Sequence, residues 1–261
     1  MRVVIKIGTS SLTKIDGSIN LNIIRKLVLI ISKLVLQNND VVLVTSGAVG
    51  CGKSLIKKGL YIRDDNFIKK NKYTVIDKTI LSGIGQAKLV SYYIEELLKV
   101  GFIGEQILLA GKKDIEGSHF IDNINECFKL GIIPIINAND TVYNKELMED
   151  VNERFSDNDI LASEVAKYIN ADKLILITNV NGYLNELGEV IEEINYDEID
   201  SYISNTENTV SNGGTGGMKS KLMTAKISCC DTIIIHNSQI LNIDKILDGE
   251  KIGTKIKRMH S

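Results

Sequence analysis

Five short aliphatic runs punctuate the chain: Val3–Ile7, Val41–Val44, Ile132–Ile136, Leu174–Ile177 and Ile233–Ile235. Each is rich in Val and Ile and continuous rather than alternating, which predicts strands covered on both faces, as in a parallel sheet. Between the first two runs, Ile23, Leu27, Ile30, Ile31 and Leu34 recur at helical spacing, and Gln37-Asn38-Asn39-Asp40 closes the pattern. Further helices are predicted from Gly85 to Lys99, from Lys221 to Ile227, and from Asn158 to Ile169, where Ile160, Leu161, Val165 and Ile169 share a face. Strand and helix in alternation predict an α/β protein, a parallel sheet between two helical layers. Pro134 has no N–H for a sheet ladder, so it is expected at a strand start or on an edge. Residues 57–78, dense in lysine, read as a solvated loop and helix surface. Residues 185–212, rich in Asn, Glu and Ser, read as a mobile flap with a short helix. No internal repeat or linker divides the chain.

Composition narrows the function classes. A length of 261 residues allows one or two domains at about 150 residues each. With 44% hydrophobic and 25% charged residues the chain is globular. Lys+Arg 31 against Asp+Glu 33 argues against nucleic-acid and polybasic membrane binding. An aromatic content of 5% without Trp argues against a base-stacking platform. The stretch Ile23 to Leu36 is broken by Arg25, Lys26, Ser32 and Lys33, so no bilayer span is expected, and the apolar start is too short for a signal peptide. A cytoplasmic location follows as the expectation. Cys51, Cys127 and the adjacent Cys229 and Cys230 have no CxxC spacing and are expected as free thiols.

Ligands of open α/β sheets bind beyond the carboxyl ends of the strands. The segments there are Lys6-Ile7-Gly8-Thr9-Ser10, Thr45-Ser46-Gly47-Ala48, Asn137-Ala138-Asn139-Asp140 and Thr178-Asn179, joined by Gly213–Lys221. Gly8 lets backbone N–H groups approach an anion, and Ser46-Gly47-Ala48 precedes a helix N-terminus, where phosphate or carboxylate is favoured. Lys6, a cation in an otherwise apolar run, pairs in kind with Lys221 of the glycine-rich loop as a phosphate clamp. In Asp157-Asn158-Asp159, Asp157 reads as a helix cap, while Asp159 reads as a carboxylate that orients the two lysines or holds a metal. His119, His236 and His260 have no ligand spacing, and neither GxxxxGK[ST] nor GxSxG nor HExxH occurs.

The strings KIGTSSL, VVLVTSGAVG, GIGQAKL, IIPIINANDTV, FSDNDILASEVA, ADKLILITNVNGYL and GTGGMKSKL occur in this order. Together they resemble the amino acid kinase family, in its glutamate-phosphorylating branch, across nearly the whole chain. The resemblance implies a three-layer α/β/α sandwich with a mainly parallel central sheet. It also implies ATP-dependent phosphorylation of the γ-carboxylate of L-glutamate, with Mg2+, as the first step of proline biosynthesis. By motif, Lys6, Lys221 and Asp159 are the catalytic residues. Ser46, Gly47, Asn137, Asp140 and Asn158 bind the acceptor. Lys6, Gly8, Thr178, Asn179, Thr215, Gly216, Gly217, Met218, Lys219, Ser220 and Lys221 bind the nucleotide, and no protein metal ligand is assigned.

Three positions depart from the family pattern: Asn179 stands where Asp is usual, Ser156 where Gly is common, and Gly111-Lys112-Lys113-Asp114 lacks an arginine. Many members continue into a small C-terminal PUA domain. Here the chain stops soon after Gly253-Thr254, so a single kinase domain over residues 1–261 is expected, as a homo-oligomer that hands its product to the next pathway enzyme. Because an acyl phosphate hydrolyses readily, residues 185–212 or the glycine loop are expected to close over the site. Two alternatives stand beside this reading: a sister kinase for another carboxylate or carbamate, and a non-catalytic amino-acid sensor.

Overall fold

In chain order the strands are β1 (Arg2–Ile7), β2 (Asp40–Val44), β3 (Gly104–Leu109), β4 (Ile133–Ala138), β5 (Lys173–Thr178), β6 (Glu193–Ile194), β7 (Asp231–His236) and β8 (Thr254–Ile256). The helices are α1 (Thr9–Leu12), α2 (Leu21–Leu36), α3 (Ala48–Ile56), α4 (Asp65–Lys69), α5 (Val75–Lys99), α6 (Lys113–Glu116), α7 (Ser118–Leu130), α8 (Asn158–Tyr168), α9 (Ile199–Thr206), α10 (Met218–Ser228) and α11 (Ile243–Leu247). The computed structural model describes residues 1–14, 16–58, 62–70, 72–142, 158–206 and 217–258.

The strands form one sheet in the order β3-β4-β2-β1-β5-β7-β8-β6. Every neighbouring pair is parallel except β7 with β8. The continuous aliphatic runs are explained by the pleat. Val3, Ile5, Ile7, Val41, Leu43, Ile175, Ile177, Ile233 and Ile235 point to the layer of α2 and α5. Val4, Val42, Val44, Leu174, Leu176 and Ile234 point to the layer of α8 and α10. Both faces are dry, so polar alternation has no place in these strands. The expected α/β sandwich is therefore observed.

Three sequence expectations need correction, and one about Pro134 is met. Helix α5 begins at Val75, well before Gly85, because Thr74 and Asp77 form a reciprocal capping box: Asp77 N–H donates to Thr74 Oγ1 and Thr74 N–H to Asp77 Oδ2. Helix α10 likewise starts at Met218 rather than Lys221. Pro134 stands at the start of β4, as expected; β4 is an interior strand, but its pairing with β2 begins only at Ile135, so the missing N–H leaves no gap. Residues 185–206 are docked on the sheet rather than forming a flap, since Ile194 and Ile199 are fully buried and β6 pairs with β8. Residues 207–212 lie outside the described residues.

The cysteines are unpaired. Burial, aided by Glu105 next to Cys127, pushes the Cys127 thiol up to about 12, and burial pushes Cys230 up to about 12. Both are protonated at neutral pH.

Helices α3 and α5 cross in backbone contact. A Cβ on Gly85 would stand 1.9 Å from Ala48 O and 2.4 Å from Gly52 N. Glycine at this position of the GIGQ string thus brings α5 against the start of α3. Gly85→Ala is expected to cost about 3 kcal/mol through overpacking, or a fall of roughly 10 °C in Tm for a chain of this size. Thermal unfolding checks it, with Gly117→Ala as control, since a Cβ there meets nothing within 4 Å.

Candidate active site

The chain passes from β1 to β2 on one side, then returns from β4 through α8 to β5 on the other side of β1. Such a reversal opens a crevice at the carboxyl ends of the strands. Helices α8 and α10 both start there, so their N-termini and their first-turn side chains face the crevice.

Lys6 follows Val4 on the α8 side of the pleat, which aims its ammonium group at the first turn of α8. Its Nζ lies 2.6 Å from Asp159 Oδ1. Lys221, in the first turn of α10, places its Nζ 3.4 Å from Asp159 Oδ2. All three side chains are buried. Burial alone would raise the Asp159 carboxyl, but the Lys6 and Lys221 ammonium groups outweigh it and hold the group below its ordinary value. Asp159 is thus an anion engaged by two cations, and the cluster carries a net positive charge at two helix N-termini. That is an electrostatic well for a phosphoryl group.

Beside this centre is a polar network. Asn158 Nδ2 faces three oxygens: Ser46 Oγ at 2.8 Å, Thr45 O at 3.0 Å and Asn137 Oδ1 at 3.0 Å. Asn137 Oδ1 also accepts the Ala138 N–H at 2.9 Å, and its Nδ2 donates to Gln86 Oε1 at 2.6 Å. Gly47 sits at φ +102, a left-handed conformation that glycine adopts without cost, and turns the chain from β2 into α3. Asp140 Oδ2 accepts a hydrogen bond from Ser82 Oγ at 2.9 Å. A cavity of about 260 Å³ opens here, with Ser82, Gln86, Gln106 and Asp140 in its lining.

On the other flank, Thr178 ends β5 and Asn179 follows. Asn179 Oδ1 accepts from Ser11 Oγ at 2.8 Å and from Asn237 Nδ2 at 3.1 Å, tying together the ends of β1, β5 and β7. The carboxamide oxygen makes these bonds as a carboxylate oxygen would, so the departure from Asp is accommodated. A cavity of about 550 Å³ lies alongside, bounded by Val180, Gly182, Tyr183, Ile191, Tyr202 and Met218. The Gly8 N–H is directed at Ile177 O, at 3.4 Å, rather than into the crevice.

Lys6, Asp159 and Lys221 are therefore brought together, as are Ser46, Asn137 and Asn158. Gly47 and Asp140 border the latter group, and Thr178, Asn179 and Met218 line the opposite flank. Gly217 caps α10, with Lys219 exposed and Ser220 part-buried in its first turn. Asp157, Thr215 and Gly216 lie outside the described residues. Sequence reading missed Ser82 and Gln86 as members of the site. The available signal was a pair of polar residues one helical turn apart, within the GIGQ region. It also left the GKKD segment without a role. There, Lys112 pairs with the buried Glu164 of α8 at 2.8 Å, while Asp114 accepts the Ala110 and Gly111 N–H groups.

The amino acid kinase family profile matches residues 1–236. Glutamate 5-kinase of Thermoanaerobacter sp. is 34% identical over 97% of this chain and 67% of its own length. Glutamate 5-kinase of Clostridium perfringens is 33% identical over 97% of this chain and 94% of its own length, and that of Lactococcus lactis 32% over 97% and 93%.

Proposed function

The chain belongs to the amino acid kinase family, and on that footing we propose that it is a glutamate 5-kinase, transferring the γ-phosphoryl group of ATP to the γ-carboxylate of L-glutamate in proline biosynthesis. The observation that carries the reading is the buried Lys6–Asp159–Lys221 cluster between an acidic, amide-lined cavity and a larger apolar one.

The acceptor carboxylate has an ordinary pKa of about 4.3, so at neutral pH it is already a nucleophile and needs no general base. The barrier is the approach of an anion to a polyanion. Lys6 and Lys221 offset that repulsion, and Asp159 fixes their positions while leaving net positive charge. In this reading the Ser46 hydroxyl and the N-terminus of α3, entered through Gly47, hold the γ-carboxylate. Asn158 is oriented by Asn137, and Asp140 takes the α-ammonium group.

The 550 Å³ cavity is assigned to the adenosine moiety, with Met218 and Tyr183 in its wall and Thr178 and Asn179 joining it by motif. The phosphates would then run along Gly217, Lys219, Ser220 and Lys221 toward Gly8 and Lys6, with Thr215 and Gly216 assigned to the same stretch by motif. Mg2+ belongs to this reading as an ion carried by the triphosphate. Among the described residues no three His, Cys, Asp or Glu side chains converge, and Asp159 is held by two ammonium groups.

No helix among the described residues is long and apolar enough to cross a membrane. A cytoplasmic homo-oligomer that passes its labile acyl phosphate to the next enzyme completes the proposal. The exposed isoleucines Ile76, Ile80 and Ile84, one helical turn apart on α5, support self-association.

The test is ADP release coupled to hydroxylamine trapping of the acyl phosphate, with L-glutamate, L-aspartate, N-acetyl-L-glutamate and carbamate as acceptors. L-Glutamate is expected to give the highest kcat/KM. A higher value with another acceptor would assign the chain to a sister kinase, and amino-acid binding without ADP release would make it a sensor.

A further inference from the structure

Two backbone groups set the polarity of the amide network. The Ala138 N–H must meet an acceptor, which fixes Asn137 Oδ1, and the Thr45 carbonyl must meet a donor, which fixes Asn158 Nδ2. With Asn137 so oriented, its Nδ2 faces Gln86 and demands an oxygen there, at 2.6 Å. The Gln86 carboxamide has no freedom left. Its Oε1 is consumed, and its Nε2 carries two hydrogens that have no acceptor among the described residues. Gln86 is buried, yet it lines the 260 Å³ cavity that also holds Asp140. On the same face of α5, one turn earlier, Ser82 donates to Asp140 Oδ2. The cavity thus presents a carboxylate and a primary amide donor side by side. That pair is the complement of an α-amino acid zwitterion, whose ammonium meets the carboxylate and whose α-carboxylate needs donors.

We propose that Gln86 is a specificity-determining residue that contacts the acceptor, donating from Nε2 to the α-carboxylate while Asp140 receives the α-ammonium group. This rests on the kinase reading and deepens it, because it states which end of the acceptor is read and by which atom. Donor sites of this kind discriminate strongly, since a mismatched group leaves a buried polar atom unpaired.

The experiment compares two acceptors, L-glutamate and its α-carboxamide (isoglutamine), with the wild-type enzyme and with Gln86→Glu. The variant keeps an oxygen for Asn137 but replaces the donor facing the cavity with a second oxygen. The wild type is expected to prefer L-glutamate in kcat/KM. In the variant the ratio of the two values should fall by at least about 100-fold, toward or past equality, because a carboxylate now repels the α-carboxylate and accepts from the α-amide. The KM for ATP should stay within about twofold, which loss of structure would not allow. If Gln86→Glu does not fold, Gln86→Met takes its place and is expected to lower the ratio by at least about 10-fold. An unchanged ratio in the folded variant overturns the assignment of Gln86. A wild-type enzyme that phosphorylates neither acceptor overturns the kinase reading instead, so the two failures are distinguishable.

Discussion

Replacing Lys221 with alanine is expected to lower kcat at least about 100-fold while leaving a folded protein that binds L-glutamate. Lys221 is well placed for a role confined to the transition state. It lies in the first turn of α10, its ammonium group is 3.4 Å from Asp159, and the polar network around Asn158 does not involve it. Charge on the transferring phosphoryl group is spread over its oxygens and is stabilised by cations already in place. Removing one of two such cations should therefore reduce turnover far more than it raises the KM for L-glutamate. Steady-state kinetics with ADP release make the comparison. Undiminished turnover in the variant would remove Lys221 from the mechanism.

Asp159→Asn carries the second large effect, on stability as well as rate. The substitution leaves two buried ammonium groups facing an uncharged amide. Breaking a buried ion pair from one side costs about 3–5 kcal/mol, or roughly 10 °C in Tm for a chain of this size. The pH dependence has a definite sign. The folded Asp159 carboxyl lies below its ordinary value, so its stabilisation is complete above the unfolded pKa of about 3.9 and is lost as pH falls through the lower folded value. The difference in Tm between wild type and variant should be largest near pH 7 and shrink below about pH 4. Inorganic phosphate, an anion able to take the place of the lost carboxylate, should raise the Tm of the variant more than that of the wild type. A variant with wild-type Tm and wild-type kcat would show that Asp159 does not organise the lysines.

A softer result is expected at Asn179. If its oxygen holds the strand ends that shape the nucleotide side, Asn179→Ala should raise the KM for ATP and spare that for L-glutamate. Equal KM values for ATP would dissociate Asn179 from the nucleotide.

The strands of the sheet centre were readable because both of their faces are buried, and an unbroken Val/Ile run has few other uses. Lys6 was readable for the opposite reason: a cation in such a run needs a partner. Strand β3 escaped notice because it forms one edge of the sheet, where Glu105 and Gln106 interrupt the apolar pattern. The first turns of α5 were hidden by Val75, Ile76, Ile80 and Ile84. These remain exposed, so the apolar stripe that usually marks a helix does not lie on its buried side. Ser82 and Gln86 were obscured by ordinary helix periodicity, in which two polar residues a turn apart read as a wet face. Only the arrival of β4 beside α5 turns that face into the wall of a cavity.

Thr254 of β8 accepts the Tyr183 N–H at 2.7 Å and donates to Ile191 O at 2.6 Å, and a Cβ on Gly182 would strike its hydroxyl at 2.5 Å. The wall around the larger cavity is thus buttressed by a strand that lies 71 residues further along the chain than Tyr183. Loosening that buttress would surface as poor retention of the phosphate donor long before the acceptor pocket registered any damage.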